Sequence, residues 1–237
     1  CERDLRFVTT LHGTDITVVG ADRAYARPTR FALDQSDAIT AVSRFLADET
    51  VIAFGSRRTI EGVPNFVDTE QFAPGPQGRF WSRPDGERRI VHASNFRPVK
   101  RVGDTVRAFA RIAGALPARL FLIGDGPDRE HALAIASDLG VADRVEAPGV
   151  KSQPELARVL GDADLFLSSS ETESFGLSML EAMSSGVPCV STRVGGVAEV
   201  FGDTGTLVPL GDIEAMADAA TALLRDEAAH RSASEKA

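Results

Sequence analysis

Two glutamates eight positions apart, Glu173 and Glu181, flank the stretch of sequence whose chemistry is easiest to interpret. The stretch follows a predicted buried strand and opens a predicted helix over residues 175–185, and open α/β sheets bind ligands at the carboxyl ends of their strands. N–H groups at a helix N-terminus attract anions such as a diphosphate. Four residues would present them: Ser174, Phe175, Gly176 and Leu177. Eight residues make about two helical turns, so both carboxylates would lie on one side of the element, one reaching a sugar and the other a ribose. For a glutamate pair alone, a capped helix with two solvated carboxylates is the commoner explanation.

A basic loop follows the predicted strand over residues 90–94. It carries Arg97, Lys100 and Arg101 in the string SNFRPVKR. Such a cluster is usually a solvated turn, but the chain as a whole has a net charge of −8. A cationic pair is the expected electrostatic catalyst when a diphosphate leaves.

Glycines follow two other predicted strands. His12 and Gly13 lie in TTLHGTD, over residues 9–15, where the backbone freedom of glycine predicts a tight turn toward a ligand. A histidine in such a place is more often structural than catalytic. Gly124 and Gly126 lie in LIGDGP, which is at least a tight turn. Arg129 stands where a dinucleotide-binding fingerprint needs its third glycine, which argues against an NAD-type dehydrogenase.

Composition excludes several classes of protein. The chain is 43% hydrophobic and 25% charged, as expected of a globular protein that buries a core. Its negative charge and pI of about 5.1 argue against nucleic acid or an anionic membrane as the main partner. The two cysteines and four scattered histidines form neither a disulfide framework nor a zinc pattern, so we expect a cytoplasmic protein without a metal.

The order of predicted elements divides the chain. Residues 1–72 alternate short strands and helices, and residues 73–88 have the proline and glycine content of a linker. Residues 89–237 alternate more regularly, which predicts βαβ units, a parallel sheet and a doubly wound Rossmann-like domain. Residues 228–237 look frayed.

The string ESFGLSMLEAMSSGVP, with seven residues between its two glutamates, resembles the signature of the retaining group 1 glycosyltransferases, which include glycogen and sucrose synthases. The resemblance implies an α/β fold of GT-B type, with two Rossmann-like domains of which the first is only partly present. It implies an enzyme, a hexosyltransferase that uses a nucleotide sugar. It also implies that His12, Lys100, Arg97 and Glu173 are catalytic.

The same resemblance implies donor contacts from loops that follow the strands. These residues are Asn95, Gly124, Gly126, Pro148, Gly149, Ser174, Phe175, Gly176, Leu177 and Glu181. Pro148 and Gly149 would hold uracil, and Asn95 stands where the wider family has an arginine, so that the charge moves to Arg97. The GG-x-x-E turn over residues 195–199 would close the pocket beside the phosphates.

Two strings, HGTDIT and SNFRPVKR, resemble a narrower subgroup. That subgroup transfers N-acetylglucosamine from UDP-N-acetylglucosamine to L-malate with retention, without a metal or cofactor, in the first step of bacillithiol biosynthesis. Malate is a dianion that needs cationic or N–H partners, and Thr10 and Arg30 are the candidates. A lipid or polysaccharide acceptor stays open, as do a non-catalytic nucleotide-sugar-binding protein and a homodimer.

The chain begins at Cys1 rather than at methionine, and the first strand and glycine-rich loop of the family have no counterpart here. We therefore expect an N-terminal half-domain to be missing. Half a domain leaves sheet edges and apolar helix faces uncovered. These 237 residues alone are accordingly expected to be a poor enzyme.

Overall fold

A computed structural model describes residues 5–13, 22–75 and 86–237. The chain divides into two compact units, named here by their size. The small unit comprises Cys1–Phe66, Glu173–Gly176 and Gly195–Val200. The large unit comprises Val67–Thr172, Leu177–Val194 and Phe201–Ala237. Within the described ranges, no helix combines the length and the apolar character needed to cross a membrane.

A three-stranded parallel sheet forms the centre of the small unit, in the order β1-β2-β3. Its elements are β1 (Val8–Leu11), α1 (Arg23–Gln35), β2 (Ala38–Ala41), α2 (Arg44–Phe54) and β3 (Ile60–Gly62). Ser43 caps α2 as predicted, and its hydroxyl accepts a hydrogen bond from the Leu46 N–H. Helix α1 begins five residues before the predicted start at Pro28, because Asp22 caps it and the proline is accommodated inside it.

Several large apolar side chains of the small unit are exposed, as expected for an incompletely covered sheet. Phe66 is 88% exposed, Leu5 77%, Ile52 75% and Phe31 67%. Apolar surface of this kind is typical of faces that another segment or molecule covers.

The large unit contains a six-stranded parallel sheet in the order β6-β5-β4-β7-β8-β9. Its strands are β4 (Arg88–Ala93), β5 (Ala118–Ile123), β6 (Val145–Gly149), β7 (Leu165–Ser168), β8 (Cys189–Thr192) and β9 (Thr206–Val208). The direction of winding reverses between β4 and β7, as in a doubly wound Rossmann-like fold. This confirms the predicted α/β class and parallel sheet.

Helices cover the faces of this sheet. They are α3 (Val102–Ala115), α4 (Arg129–Asp138), α5 (Gln153–Gly161), α6 (Leu177–Ser184), α8 (Ile213–Arg225) and α9 (Glu227–Lys236), whereas α7 (Val197–Phe201) belongs to the small unit except for its last residue. The core is formed by fully buried strand residues such as Ile90 and Leu120, packed against helical residues such as Phe109 and Ala220. Val91 and Phe121, the next residues along β4 and β5, point to the opposite side of the sheet and are also buried, so both faces of these strands are apolar, as expected of a parallel sheet.

In the large unit two sequence-based element predictions were wrong, and one helix of the chain was missed. Residues 228–236 are helical rather than frayed, because Asp226 caps α9 and the Ser234 hydroxyl donates to the Gly186 carbonyl. Helix α6 begins at Leu177, two residues later than predicted, because Gly176 has φ of +100° and cannot be helical. Helix α7 was not predicted. Most of the predicted linker, residues 76–85, lies outside the described residues.

Candidate active site

The loops after β4 and β7 meet at the topological switch point of the large unit. The Glu171 N–H donates to the Val99 carbonyl at 2.7 Å. The Ser169 hydroxyl donates to the Arg101 carbonyl at 2.8 Å and shares a 2.7 Å hydrogen bond with the Thr105 hydroxyl. Because β4 and β7 are neighbours, these bonds fix the basic loop at the place where doubly wound folds bind ligands.

The basic loop itself has an unusual backbone. Phe96 and Arg101 both have positive φ, +42° and +48°, which is uncommon for residues other than glycine. Phe96 is fully buried, and the guanidinium of Arg101 is paired with Asp104, its Nε lying 2.6 Å from Oδ2. This conformation leaves Arg97 exposed and Lys100 partly exposed, at the end of a 3-10 turn over Pro98–Lys100. The loop can present two cations to an anion.

His92, in β4, is hydrogen-bonded through Ser94 to the start of the basic loop. It was not among the predicted site residues. Its Nδ1 lies 2.9 Å from the Leu167 carbonyl, which only accepts, so Nδ1 carries the proton. Its Nε2, 2.8 Å away from the Ser94 hydroxyl, therefore accepts from that hydroxyl, and Ser94 Oγ in turn accepts the Phe96 N–H at 3.3 Å. Burial lowers the pKa of His92 to about 4, against the opposing effect of its hydrogen bond to Leu167. A lone histidine among the apolar residues of IVHA, over residues 90–93, was the available signal.

Gly124 and Gly126 allow two loops to touch. A Cβ on Gly124 would lie 1.9 Å from the Ser94 carbonyl oxygen, and one on Gly126 would lie 2.0 Å from that of Asn95. Both glycines also have positive φ, +121° and +155°. The sequence predicted a tight turn here, and the structure shows that the glycines are required by main-chain packing against the basic loop.

The predicted uracil-binding residues lie at the end of β6. Pro148 is exposed, and the Gly149 carbonyl accepts the Gly124 N–H at 3.0 Å. Gly149 has φ of +79°, and a Cβ placed on it would meet open space. Arg129 Nη2 donates to the Ala147 carbonyl at 3.1 Å and so fixes this turn to α4.

Glu181 is a buried carboxylate on α6. Burial raises its pKa, and a 3.2 Å hydrogen bond from Gln153 Nε2 acts in the opposite direction. Glu173 lies in the loop just before α6, as predicted. Because the helix begins only at Leu177, about one helical turn rather than two precedes Glu181, so the predicted helical spacing of the two carboxylates is wrong.

In the small unit, Thr10 and His12 lie at the end of β1. The Thr40 hydroxyl donates to the Thr10 hydroxyl across the sheet at 3.0 Å, and His12 is exposed. Gly13 has φ of +124°, and a Cβ there would lie 1.6 Å from Ser174 Oγ, so the predicted tight turn approaches Ser174. Thr14 and Asp15, from the same motif, lie outside the described residues.

Arg30 lies on α1 and forms an ion pair with a residue of the same helix. Its Nε is 3.6 Å from Asp34 Oδ2, one helical turn away, and both side chains are about half exposed. An exposed pair of this kind contributes little to stability.

The predicted helix-start residues are divided between a loop and a helix. Ser174, Phe175 and Gly176 precede α6, and Leu177 is its first residue. Phe175 is buried, whereas Leu177 is 42% exposed. The Ser174 carbonyl accepts a hydrogen bond from the Ser43 hydroxyl at 2.6 Å.

The family described as glycosyl transferases group 1 matches residues 87–226, and glycosyltransferase family 4 matches residues 1–71. This chain belongs to the group 1 glycosyltransferases. The N-acetyl-alpha-D-glucosaminyl L-malate synthase of Bacillus anthracis is 44% identical over 98% of this chain and 62% of its own length. The GDP-mannose-dependent alpha-(1-6)-phosphatidylinositol monomannoside mannosyltransferase of Mycolicibacterium smegmatis is 33% identical over 93% of this chain and 61% of its own length. The chain thus spans 61–62% of the length of these two curated relatives.

Solved structures show the same fold for this group 1 glycosyltransferase chain. Sucrose-phosphate synthase from Thermosynechococcus elongatus superposes with a TM-score of 0.86 at 23% identity, over 99% of this chain and 62% of that one. Anabaena HepE, in complex with UDP and glucose, gives a TM-score of 0.83 at 19% identity, over 98% and 65% of the two chains. These likenesses establish the GT-B fold predicted from the signature string.

Proposed function

We propose that this protein is a retaining glycosyltransferase that moves N-acetylglucosamine from UDP-N-acetylglucosamine to the hydroxyl of L-malate, the first step of bacillithiol biosynthesis. One observation carries the proposal. The cationic SNFRPVKR loop lies at the switch point of a doubly wound sheet, in a chain 44% identical to a synthase named for that product.

The cations of the basic loop would stabilise the leaving group. When the bond between C1 of the sugar and the β-phosphate oxygen breaks, negative charge develops on UDP. Lys100 and Arg97 would lower the energy of that charge, and their loop is held in place before any ligand arrives. Because these protein cations would stabilise the charge, we propose that transfer needs neither a metal nor another cofactor. We also propose that the protein works in the cytoplasm.

Retention follows if malate attacks from the side that the diphosphate leaves. The malate hydroxyl oxygen then bonds to C1, the electron pair of the broken bond goes to the phosphate oxygen, and the hydroxyl proton passes to that phosphate. No carboxylate of the protein acts as a nucleophile in this scheme. Trapping a glycosyl group on a glutamate or aspartate of the chain would contradict it.

The remaining site residues take supporting roles in the proposal. Pro148 and Gly149 would meet uracil, and Glu181 the ribose. His12 and Glu173 would contact the transferred sugar, and Thr10 and Arg30 the malate carboxylates. The other proposed donor contacts are Asn95, Gly124, Gly126, Ser174, Phe175, Gly176 and Leu177.

The test measures UDP release by the protein at its natural full length. UDP-N-acetylglucosamine is supplied with L-malate, with other small hydroxy acids, and with no acceptor. We expect release that depends on L-malate and falls by about a hundredfold or more in Lys100→Ala, as when one preorganised electrostatic contact is lost. Lys236→Ala, on the last helix, is the matched control and should behave as wild type.

Two other outcomes would favour a different function. Transfer from GDP-mannose to phosphatidylinositol mannoside vesicles, with none to malate, would favour a lipid acceptor of the kind named for the 33% identical relative. Binding of the nucleotide sugar with no acceptor-dependent release would favour a non-catalytic binding protein.

A further inference from the structure

The segment that carries Glu173 is attached to the N-terminus of α2 within the small unit. Ser43, the N-cap residue, donates its hydroxyl to the Ser174 carbonyl at 2.6 Å and accepts the Leu46 N–H at 3.1 Å. Ser43 is 3% exposed, so water does not compete strongly for these bonds. One hydroxyl therefore both caps the helix and holds the main chain next to Glu173.

Glu199 completes the cap from a distant part of the sequence. Its Oε2 accepts the Arg44 N–H at 2.8 Å, and its Oε1 accepts the Phe45 N–H at 2.7 Å. With the Ser43 hydroxyl, three of the N–H groups that a helix start leaves unbonded are satisfied. The negative charge of Glu199 also lies at the positive end of the helix dipole, where it is stabilising.

A pair of glycines holds the same segment from its other side. The Gly196 N–H donates to the Glu173 carbonyl at 2.9 Å. A Cβ on Gly195 would lie 1.8 Å from that carbonyl oxygen, and one on Gly196 would lie 2.4 Å from the Ser174 carbonyl oxygen. The main chain of Glu173 and Ser174 therefore lies directly on Gly195 and Gly196, with no room for side chains.

We propose that Glu199 is a positioning residue for Glu173, the residue that the proposed function, on which this inference rests, places at the donor sugar. Glu199 lies on α7, whose first turn starts from the glycine pair, since the Glu199 N–H donates to the Gly196 carbonyl at 3.0 Å. Its carboxylate ties that pair to α2, while Ser43 and Gly196 hold the Glu173 segment between them. The GG-x-x-E turn thus serves to fix a catalytic loop.

The test compares the full-length protein with three variants. Glu199→Gln keeps the size of the side chain but loses the charge and one of the two acceptor oxygens. Ser43→Ala removes the hydroxyl at the other end of the same attachment. Asp48→Asn, at an exposed position of α2, removes an equal charge and is the matched control.

Two readouts separate positioning from simple helix capping. Hydrogen exchange followed by mass spectrometry reports on residues 173–176, and steady-state kinetics with UDP binding reports on the site. In Glu199→Gln we expect exchange of residues 173–176 to rise about tenfold and kcat to fall about tenfold or more, because small misplacements of a catalytic group are costly. The Kd for UDP should stay within about twofold, because UDP lacks the sugar that Glu173 contacts. Ser43→Ala should reproduce this pattern.

Specific results would contradict the inference. Faster exchange in α2 alone, with kcat as in Asp48→Asn, would show that Glu199 only caps a helix and would overturn the inference. If Glu199→Gln fails to fold, Ser43→Ala decides by the same criteria. If the wild-type protein releases no UDP with malate, the proposed function fails separately, and exchange of residues 173–176 still supports or overturns the attachment.

Discussion

Replacing His92 should change how the stability of the large unit depends on pH. Burial holds the pKa of His92 at about 4, below its ordinary value of 6.5. Between these values the unfolded chain binds a proton that the folded chain does not, so the free energy of unfolding falls as the pH drops below about 6.5. One pKa unit corresponds to about 1.4 kcal/mol. The full loss is therefore about 3 kcal/mol, of which about 2 kcal/mol accumulates between pH 8 and pH 5.

The substitution His92→Asn isolates this effect. The asparagine amide can donate to the Leu167 carbonyl as Nδ1 does, but it does not titrate. At pH 8 the variant should be less stable by about 1–3 kcal/mol, because the ring also stacks on Phe96 and Phe166 and accepts from Ser94. Between pH 8 and pH 5 it should lose about 2 kcal/mol less than wild type.

The assay is native-state hydrogen exchange of the β4 and β5 amides as a function of urea, which reports on opening of the large unit. His131→Asn, at an exposed position of α4, is the control and should keep the wild-type pH dependence. An unchanged pH dependence in His92→Asn would refute the argument that a buried neutral imidazole sets it.

Three further predictions concern the large unit. Gly124→Ala should lower the free energy of unfolding, measured by urea titration, by more than about 2 kcal/mol, because Gly124 has positive φ and its Cβ would collide with a main-chain carbonyl. Gly114→Ala is the control: its Cβ would meet open space on α3, so the free energy of unfolding should rise by up to about 1 kcal/mol. Gln153→Ala removes the hydrogen bond that lowers the pKa of Glu181. As the pH is lowered, the affinity for UDP, measured by calorimetry, should therefore begin to fall at a higher pH in the variant than in wild type. An unshifted pH profile would exclude Glu181 from the UDP site. Burial raises the pKa of the Cys189 thiol, so iodoacetamide should leave it unmodified at pH 8 until urea unfolds the chain, and rapid labelling of the folded protein would contradict its burial.

Local patterns were sufficient to predict the sheet and most helices. Apolar strings such as RLFLI and DLFLS, separated by stretches of helical length, predict buried parallel strands, and β5 and β7 follow them closely. Single residues shifted the boundaries. Asp22 moved the start of α1, and the positive φ of Gly176 delayed α6.

The site could be predicted only in part, because its supports come from distant parts of the chain. Glu199 caps α2 from 155 positions away, and His92 reaches Leu167 across 75 positions, so neither contact leaves a local pattern. The sequence predicted tight turns at Gly13 and Gly124, and the structure adds that these glycines pack against Ser174 and the Ser94 carbonyl, contacts that no local pattern reveals. The catalytic and binding roles given to the site residues stay predictions until substrate is supplied.

The most direct test of the central claim is the proton NMR spectrum of the product formed from UDP-N-acetylglucosamine and L-malate by the protein at its natural full length. One spectrum reports the donor sugar, the acceptor and the configuration at C1. The proposed function predicts an α-linked glycoside of malate, the configuration of the donor, formed also in the presence of EDTA. A β-linked product, or no glycoside of malate while another acceptor is consumed, would contradict it.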